Sequence, residues 1–330
     1  MGRAAHRPGL RGAALSQRPV VVVAGPTASG KSALALDLAQ ALGGTVINAD
    51  SMQVYRELRI LTARPGPDEE ALAPHRLYGA IPAGEACSAA RWRKLALLEI
   101  EISHAAGRLP ILCGGTGLYL RALMEGLSPI PDVPAPLREA TRRRLAELGN
   151  QAFHAELAAR DPVMGARLHP ADTQRLLRAA EVFAATGRSL AEWQSEPGEA
   201  APDHGHSLYT VALMPPRAPL RLRIEERFSA MLAAGALDEV RGLAALDLPP
   251  HLPAMKAHGV PELVRHLRGE ISIEEAARRA VLVTQQYAKR QFTWLRHQIE
   301  KDYVLEQQYS GSMSPAIANK IRHFLLTLHQ

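Results

Sequence analysis

The sequence of 330 residues has little of several features that mark other classes of protein. Its two cysteines, Cys87 and Cys113, are too few for a disulfide framework or a four-cysteine zinc site, so we expect a reducing, cytoplasmic setting. No run approaches the roughly 18 uninterrupted apolar residues of a membrane span, so we expect no membrane partner. Residues 1–19 include four arginines, no acidic residue and no apolar periodicity, which predicts a disordered basic tail.

The remaining composition suits a soluble enzyme or binding protein. Hydrophobic residues make up 47% of the chain, which is ample for a core, and the net charge is +6. A moderately basic balance permits a polyanionic partner, and it equally fits a surface charged for solubility. Composition alone leaves these two interpretations open.

Strand and helix patterns alternate through the first third of the chain. We predict apolar strands at 20–23, 44–50 and 109–115, and helices at 31–42 and 89–106. Short apolar strands separated by helices indicate a parallel sheet covered on both faces. Ligands collect at the carboxyl ends of such strands, where the sequence places a glycine loop, Asp50 and Gly114-Gly115-Thr116.

The pattern changes at 127–139, where four prolines indicate a linker. Amphipathic helices follow, and an apolar strand returns at 207–215. We therefore predict an α/β core resembling P-loop NTPases, interrupted by an all-helical insertion. We also predict one helix from 219 to 243 and another over 272–298, capped by Ser272. The predicted divisions are a tail (1–19), core (20–132), insertion (133–205), core (206–300) and C-terminal extension (301–330).

The most specific motif is Gly25-x-x-x-x-Gly30-Lys31-Ser32, which lies between an apolar strand and a helix. In such a loop, backbone N–H groups and the helix N-terminus enclose a phosphate, the lysine supplies charge, and the Ser32 hydroxyl can bind Mg²⁺. The alternative is a glycine-rich turn with a structural lysine. The predicted diphosphate-binding residues of the loop are Gly25, Pro26, Thr27, Ala28, Ser29, Gly30, Lys31 and Ser32.

Two motifs of nucleotide hydrolases are missing around this loop. There is no Asn-Lys-x-Asp base reader, and the third strand ends in Cys113-Gly114-Gly115 without a carboxylate. The only carboxylate at a strand end is Asp50, which serves either as a magnesium ligand or as a base. This scarcity favours group transfer over a motor or a switch.

Motifs in a fixed order resemble those of the tRNA dimethylallyltransferases, also called tRNA isopentenyltransferases. They are GPTASGKS, ADSMQVYREL, TARP, PHRLYG, CGGTGLYLRALMEGL, HPADTQRLLRAAEVF, RIEERFSAML and YAKRQFTWLR, and the resemblance covers nearly everything from Val20 to about His297. The resemblance implies transfer of a dimethylallyl group from its diphosphate to N6 of the adenosine just 3′ of the anticodon. It implies tRNAs that read codons beginning with U, Mg²⁺ as cofactor and release of diphosphate.

The resemblance also implies roles for individual residues. Asp50 matches the general base, Thr116 the hydroxyl where tRNA and diphosphate meet, and Arg227, with Arg223, a diphosphate contact. Each has an ordinary alternative. Asp50 also fits magnesium ligation, Thr116 fits a helix cap, and two arginines four residues apart fit surface ion pairs. The sequence has no C-terminal zinc finger of the eukaryotic type, which indicates a bacterial-type enzyme. We expect this enzyme to act as a monomer.

The tRNA contacts implied by the resemblance fall in three places, with the anticodon stem-loop as partner. They are Asp50, Ser51, Met52 and Gln53, with Gln53 as an edge reader; Thr116 and Arg138; and Gln174, Arg175, Leu176, Leu177 and Arg178. The alternative for the arginines is a solvated helix face. Lys289 and Arg290 beside aromatics fit a phosphate-and-stacking surface or a helix that closes the core, and we assign the aromatics to the core.

The sequence departs from the family pattern at His258-Gly259-Val260, where many members carry Ile-Gly-Tyr-Lys. His258 has no partner at a spacing suited to a metal site. Three other functions are weighed against the main hypothesis: an adenylate isopentenyltransferase acting on free nucleotide, a P-loop kinase of small molecules, and a catalytically idle RNA-binding protein. The insertion argues against the first, because a free nucleotide needs no such surface.

Overall fold

The computed structural model describes residues 18–196 and 205–328. The predicted basic tail therefore lies almost wholly outside the described residues, as does most of the polar segment at 195–206. Contacts divide the chain into two units, one made of residues 1–123 and 204–330 and the other of residues 124–203.

Six strands of the first unit form one sheet in which every pairing is parallel. They are β1 (Arg18–Ala24), β2 (Gly44–Asn48), β3 (His75–Arg76), β4 (Leu109–Gly114), β5 (His206–Leu213) and β6 (Tyr303–Leu305). Their order across the sheet is β3-β2-β4-β1-β5-β6. The predicted α/β class with a parallel sheet is confirmed.

The apolar content of β1 explains its place in the middle of the sheet. Its four valines, 20–23, are fully buried, and Val23 lies in register between Cys113 on β4 and Val211 on β5. A strand with neighbours on both edges and helices on both faces has no solvent-facing side, so an unbroken apolar run suits it. The carboxyl ends of β1, β2 and β4 consequently lie side by side.

Thirteen α-helices occur in the described residues. They are α1 (Lys31–Leu42), α2 (Pro67–Leu72), α3 (Ala89–Ala105), α4 (Gly117–Met124), α5 (Ala135–Arg160), α6 (Pro162–Arg167), α7 (Thr173–Thr186), α8 (Leu190–Ser195), α9 (Arg217–Ala233), α10 (Ala236–Ala244), α11 (Val260–Leu267), α12 (Ile273–His297) and α13 (Ser314–Thr327). Among the described helices, no segment is both long and apolar enough to cross a membrane.

Two predictions about elements differ from the structure. The single helix predicted over 219–243 is two helices, α9 and α10, because Gly235 has a φ of 100° and breaks the helical path. The predicted C-terminal extension contains β6, which pairs with β5, and α13, whose Ile317 and Ile321 pack into the core beside the sheet. A three-residue strand is too short to leave a recognisable pattern in the sequence.

All the regular elements in the described residues of the second unit, 124–196, are helices. Gly149, with a φ of 72°, kinks α5 into two segments. These segments pack against α6 and α7 around a small core that includes Phe153, Leu157, Leu176 and Val182. The helical pattern predicted for the insertion therefore matches the secondary structure observed here.

Candidate active site

The glycine loop at 25–32 follows β1 and opens α1. Ala28 and Gly30 have φ values of 63° and 92°, a left-handed conformation that bends the backbone around a centre. Gly25 is required for space, because a Cβ built there would lie 2.5 Å from the Ser29 hydroxyl oxygen. A left-handed loop that leads into a helix N-terminus is the backbone geometry that the motif predicts, and it is the geometry with which such loops bind anions.

Lys31 is held against this loop. It is 8% exposed, and its Nζ donates a hydrogen bond of 3.4 Å to the Pro26 carbonyl. Burial lowers the pKa of Lys31, and the nearby carboxylate of Asp50 opposes that shift. A buried ammonium is stabilised when an anion replaces its lost hydration, which is what a bound phosphate supplies.

Asp50 is fixed just beyond the end of β2. The Asp50 N–H donates to Asn48 Oδ1 at 2.8 Å, and Asn48 Nδ2 donates to the Asp50 carbonyl at 3.0 Å. The Met52 N–H donates to Asp50 Oδ1 at 2.9 Å. Within the described part of the chain Oδ2 has no hydrogen-bond partner, so one oxygen orients the carboxylate and the other is available to accept a proton.

Thr116 joins the ends of β2 and β4. The Ser51 N–H donates to Thr116 Oγ1 at 3.0 Å, and the two hydroxyl oxygens are 3.3 Å apart. The Tyr287 hydroxyl on α12 interacts with the Thr116 and Gln291 side chains, and burial raises the pKa of Tyr287 to about 12. Tyr287 therefore remains a neutral hydroxyl at physiological pH.

Gln291 connects α12 to both glycine-rich turns. Its Oε1 accepts a 2.9 Å hydrogen bond from the Thr27 N–H, and its Nε2 donates 3.0 Å to the Gly115 carbonyl. Gly115 allows this contact, because a Cβ there would lie 2.3 Å from Gln291 Nε2. A single buried amide thus sets the distance between the phosphate loop and the turn after β4.

A cavity of about 90 Å³ opens where these elements meet. Its charged groups come from Asp50 and Arg227, Thr27 of the glycine loop lies beside them, and the rest of the wall mixes apolar side chains with a few polar ones. The other lining residues are Met52, Leu61, Thr62, Ile224, Phe228, Met231, Ala257, His258, Thr284 and Tyr287.

Two side chains in this wall, Arg227 and His258, have lowered pKa values. Burial lowers the pKa of Arg227, with Asp50 opposing, and an arginine so shifted still keeps its charge. Burial also lowers the pKa of His258, as does the charge of Arg290, so the imidazole is neutral at pH 7. The rings of His258 and Tyr287 lie with centroids 4.7 Å apart.

The structure brings together some of the predicted site residues and separates others. Thr27, Asp50, Met52 and Arg227 line one cavity, whereas Arg223 is exposed on α9 and is not part of its wall. Gln53, predicted to read a base edge, is 8% exposed, and its Nε2 donates to the carbonyls of Thr62 and Ala63. Its amide nitrogen is therefore used to hold the 62–63 turn.

In the second unit, the residues predicted to contact RNA on α5 and α7 differ in their exposure to solvent. Arg138, Gln174 and Arg175 are exposed, and Arg178 and Leu177 are half-buried. Leu176 is fully buried in the core of the unit, which rules out the RNA contact predicted for this side chain, because helical periodicity turns it inward.

The sequence indicates no role for Gln291, Thr284 or Met231, and Tyr287 is one of the aromatic residues beside Lys289 and Arg290 that we predict to lie in the core. His258 was noted only as a departure from a pattern. Tyr287 and Gln291 lie in the YAKRQFTWLR motif, and this position is the only sequence feature that points to them. The aromatic residues of the same motif favour a core helix instead.

The fold and the cavity together define a P-loop α/β enzyme of the group-transfer class. The family described as IPP transferase matches residues 53–298. A tRNA dimethylallyltransferase of Rhodospirillum centenum is 60% identical over 86% of this chain and 90% of its own length. One from Rhodopseudomonas palustris is 60% identical over 86% of this chain and 88% of its own.

Solved structures agree. The full-length tRNA isopentenylpyrophosphate transferase of Bacillus halodurans is 30% identical, covers 95% of this chain and 98% of its own, and has a TM-score of 0.68. A eukaryotic dimethylallyltransferase acting on tRNA is 27% identical over 92% of this chain and 77% of its own, with a TM-score of 0.74. The chain belongs to the IPP transferase family, the tRNA dimethylallyltransferases, and the resemblance drawn from the motifs is confirmed.

Proposed function

We propose that this protein transfers the dimethylallyl group of dimethylallyl diphosphate to N6 of the adenosine 3′-adjacent to the anticodon in tRNAs that read codons beginning with U. The observation that carries the proposal is one cavity lined by both Asp50 and Arg227, together with apolar side chains and Thr27 of the phosphate loop. A cavity with a base, a cation and an apolar lining suits an isoprenoid diphosphate and a nucleobase amine.

At the donor end, the chain neutralises the charge that develops on the leaving group. The loop N–H groups, Lys31 and Arg227 surround the diphosphate and stabilise it as the bond to the allylic carbon breaks. The apolar residues of the cavity, among them Ile224 and Phe228, enclose the dimethylallyl carbons and exclude water. Water exclusion prevents the diphosphate ester from being hydrolysed instead of transferred.

The donor set at this end fits Mg²⁺. The half-buried Ser32 hydroxyl at the start of α1 interacts with the Cys113 thiol and is a hard oxygen donor next to Lys31 in the phosphate loop. Mg²⁺ binds few protein oxygens and completes its shell with phosphate oxygens and water. Ser32 would hold the ion, which when bound adds positive charge beside the leaving diphosphate.

At the acceptor end, Asp50 orients and deprotonates the amine. The N6 nitrogen forms a bond to C1 of the dimethylallyl group, the C1–O bond breaks, and diphosphate carries away the electron pair. The N6 proton passes to the Asp50 carboxylate. An exocyclic amine conjugated with a purine is a weak nucleophile, so positioning and proton removal account for most of the acceleration.

The acceptor adenosine must leave its stack to reach the cavity, as in other enzymes that modify bases. We assign phosphate and base contacts to Ser51, Met52 and Thr116 in the first unit. In the second unit we assign them to Arg138, Gln174, Arg175 and Arg178, with Leu177 beside them. We further propose that the enzyme acts as a monomer.

Mass spectrometry of an acceptor RNA tests the proposal. An unmodified anticodon stem-loop with adenosines after the anticodon is incubated with protein, Mg²⁺ and dimethylallyl diphosphate, beside a tube that contains AMP. We expect one dimethylallyl group on the RNA alone. A gain on AMP alone would identify an adenylate isopentenyltransferase. No gain in either tube, with ATP consumed in the presence of a nucleoside, would identify a kinase.

A further inference from the structure

The C-terminal segment after β6 contacts the phosphate loop. After β6, Gln308 donates its Nε2 hydrogen bonds to the carbonyls of Ser29 at 2.8 Å and Ala28 at 3.4 Å. This residue lies beyond the 53–298 range matched by the family, and it follows Ser29 by 279 positions in the chain. The sequence alone indicates no function for this segment.

The contact with Ser29 determines where a loop donor points. In a planar trans peptide the N–H lies opposite the C=O, so holding the Ser29 carbonyl toward Gln308 turns the Gly30 N–H the other way. Among the described residues the Gly30 N–H has no acceptor, although it lies at the N-cap of α1. An N–H directed inward and left unpaired is the kind of donor that a phosphate loop offers an anion.

Neighbouring contacts keep the Gln308 amide in place. The next residue, Tyr309, is buried, and its hydroxyl donates to the Asp37 carboxylate on α1. Its Cβ lies 2.9 Å from where a Gly30 Cβ would be, so the segment packs directly on the loop. Three residues before Gln308, the Leu305 carbonyl accepts a hydrogen bond of 2.8 Å from the Met214 N–H.

The chemistry of Gln308 exceeds what packing needs. Its Oε1 is buried without a hydrogen-bond partner in the part of the chain that the structure describes. An unpaired buried acceptor is destabilising, and an apolar side chain of similar length would fill the space without that penalty. We therefore look for the role of Gln308 in its Nε2 group, which donates the hydrogen bonds to the phosphate loop.

We propose that Gln308 is a positioning residue for the leaving diphosphate. It fixes the Ser29 peptide so that the Gly30 N–H donates to the anion during transfer. The inference rests on the proposed function, since it assumes that the loop holds the diphosphate of the prenyl donor.

The test compares Gln308→Met, which keeps length but removes the donor, with Gln307→Met, a matched control at an exposed neighbour. Pyrophosphate binding with Mg²⁺ is measured by calorimetry, and KM is measured separately for dimethylallyl diphosphate and for stem-loop RNA. For Gln308→Met we expect the pyrophosphate Kd and the donor KM to rise about tenfold, with the RNA KM unchanged. Gln307→Met will match the wild type.

Two outcomes would overturn the role of Gln308. An unchanged pyrophosphate Kd and donor KM in folded Gln308→Met overturn the positioning role, and so does a lower kcat with both KM values unchanged. In those cases a wild type that still transfers the prenyl group leaves the proposed function standing. A wild type that binds no pyrophosphate overturns both. If Gln308→Met fails to fold, Gln308→Asn, whose amide is too short to span the gap, carries the same expectation.

Discussion

Replacing Asp50 with asparagine separates the charge of this side chain from its shape. The Met52 N–H donates to Asp50 Oδ1 at 2.9 Å, and an asparagine oxygen accepts the same bond, so the turn after β2 is preserved. What is lost is the carboxylate that takes the N6 proton. General-base catalysis contributes about 10² to 10⁴ in rate, or about 3–5 kcal/mol of barrier, so we expect a fall of at least ~10².

The same change affects donor binding in the opposite direction. Asp50 lies close enough to Lys31 and Arg227 to stabilise their charged forms. Without it, Lys31 and Arg227 lose the carboxylate that opposes the effect of burial on their pKa values, and we expect dimethylallyl diphosphate to bind at least as tightly as it binds to the wild type. A slower step combined with undiminished donor affinity is a result that general damage to the site does not produce.

Single-turnover rapid quench measures the chemical step directly, with saturating donor and labelled anticodon stem-loop RNA. Gel shift and calorimetry give the affinities for RNA and donor, and the exposed Asp68→Asn variant controls for loss of one negative charge. We expect RNA affinity within a few-fold of the wild type. A transfer rate for Asp50→Asn within threefold of the wild type would refute the assignment of Asp50 as the base.

Three further predictions concern RNA binding, pH and packing. Changing Arg175 and Arg178 together to alanine will weaken RNA binding and flatten its dependence on salt, and an unaltered slope would show that they are only solvated. Because burial lowers the folded-state pKa of His258 below its ordinary value of 6.5, its contribution to stability is present above pH 6.5 and is lost as pH falls below it. The drop in melting temperature from pH 7.5 to 5.5 will therefore be smaller in His258→Ile, and an equal drop would contradict this. Gly115→Ala places a Cβ 2.3 Å from a side-chain nitrogen of α12, and we expect it to lower the free energy of unfolding by about 1–3 kcal/mol in denaturant titration. The control Gly242→Ala, whose Cβ meets no atom within 4 Å, will not destabilise the protein.

The parts of the site that follow strand ends were predictable from sequence. Thr27, Asp50 and Thr116 follow β1, β2 and β4, and parallel strands bring their carboxyl ends to one edge of the sheet. Local motif spacing and one general rule of parallel sheets were therefore enough to gather them. The family and the enzyme class followed from motif order in the same way.

The parts contributed by helices were not predictable to the same degree. The i, i+4 spacing puts Arg223 and Arg227 on one side of α9, but the cavity is lined by Ile224, Arg227, Phe228 and Met231. Arg223 lies at the edge of that stripe, and a few tens of degrees of helix rotation decide such a placement. Sequence periodicity gives the face of a helix that is buried, and the neighbour against which it packs depends on the whole fold.

Long-range hydrogen bonds were also missed. Gln291 and Gln308 each bond to the phosphate loop, at separations of 264 and 279 residues or more. A glutamine in a polar helix or after a short strand carries no periodic signal, and its amide is as common on a surface as in a core. Only the folded chain shows that these two amides face the same loop.

The order of strands in the sheet also determines how the protein can be assembled during synthesis. β1 is made early, yet its partner on one side, β5, starts at His206. At about 5–20 residues per second a ribosome needs roughly 10–40 s to cover the distance. Throughout that interval the valine-rich β1 has at least one unpaired edge, which is the kind of surface that recruits chaperones or other nascent chains. Slow translation between these two strands would thus lower the yield of native protein without changing one residue of it.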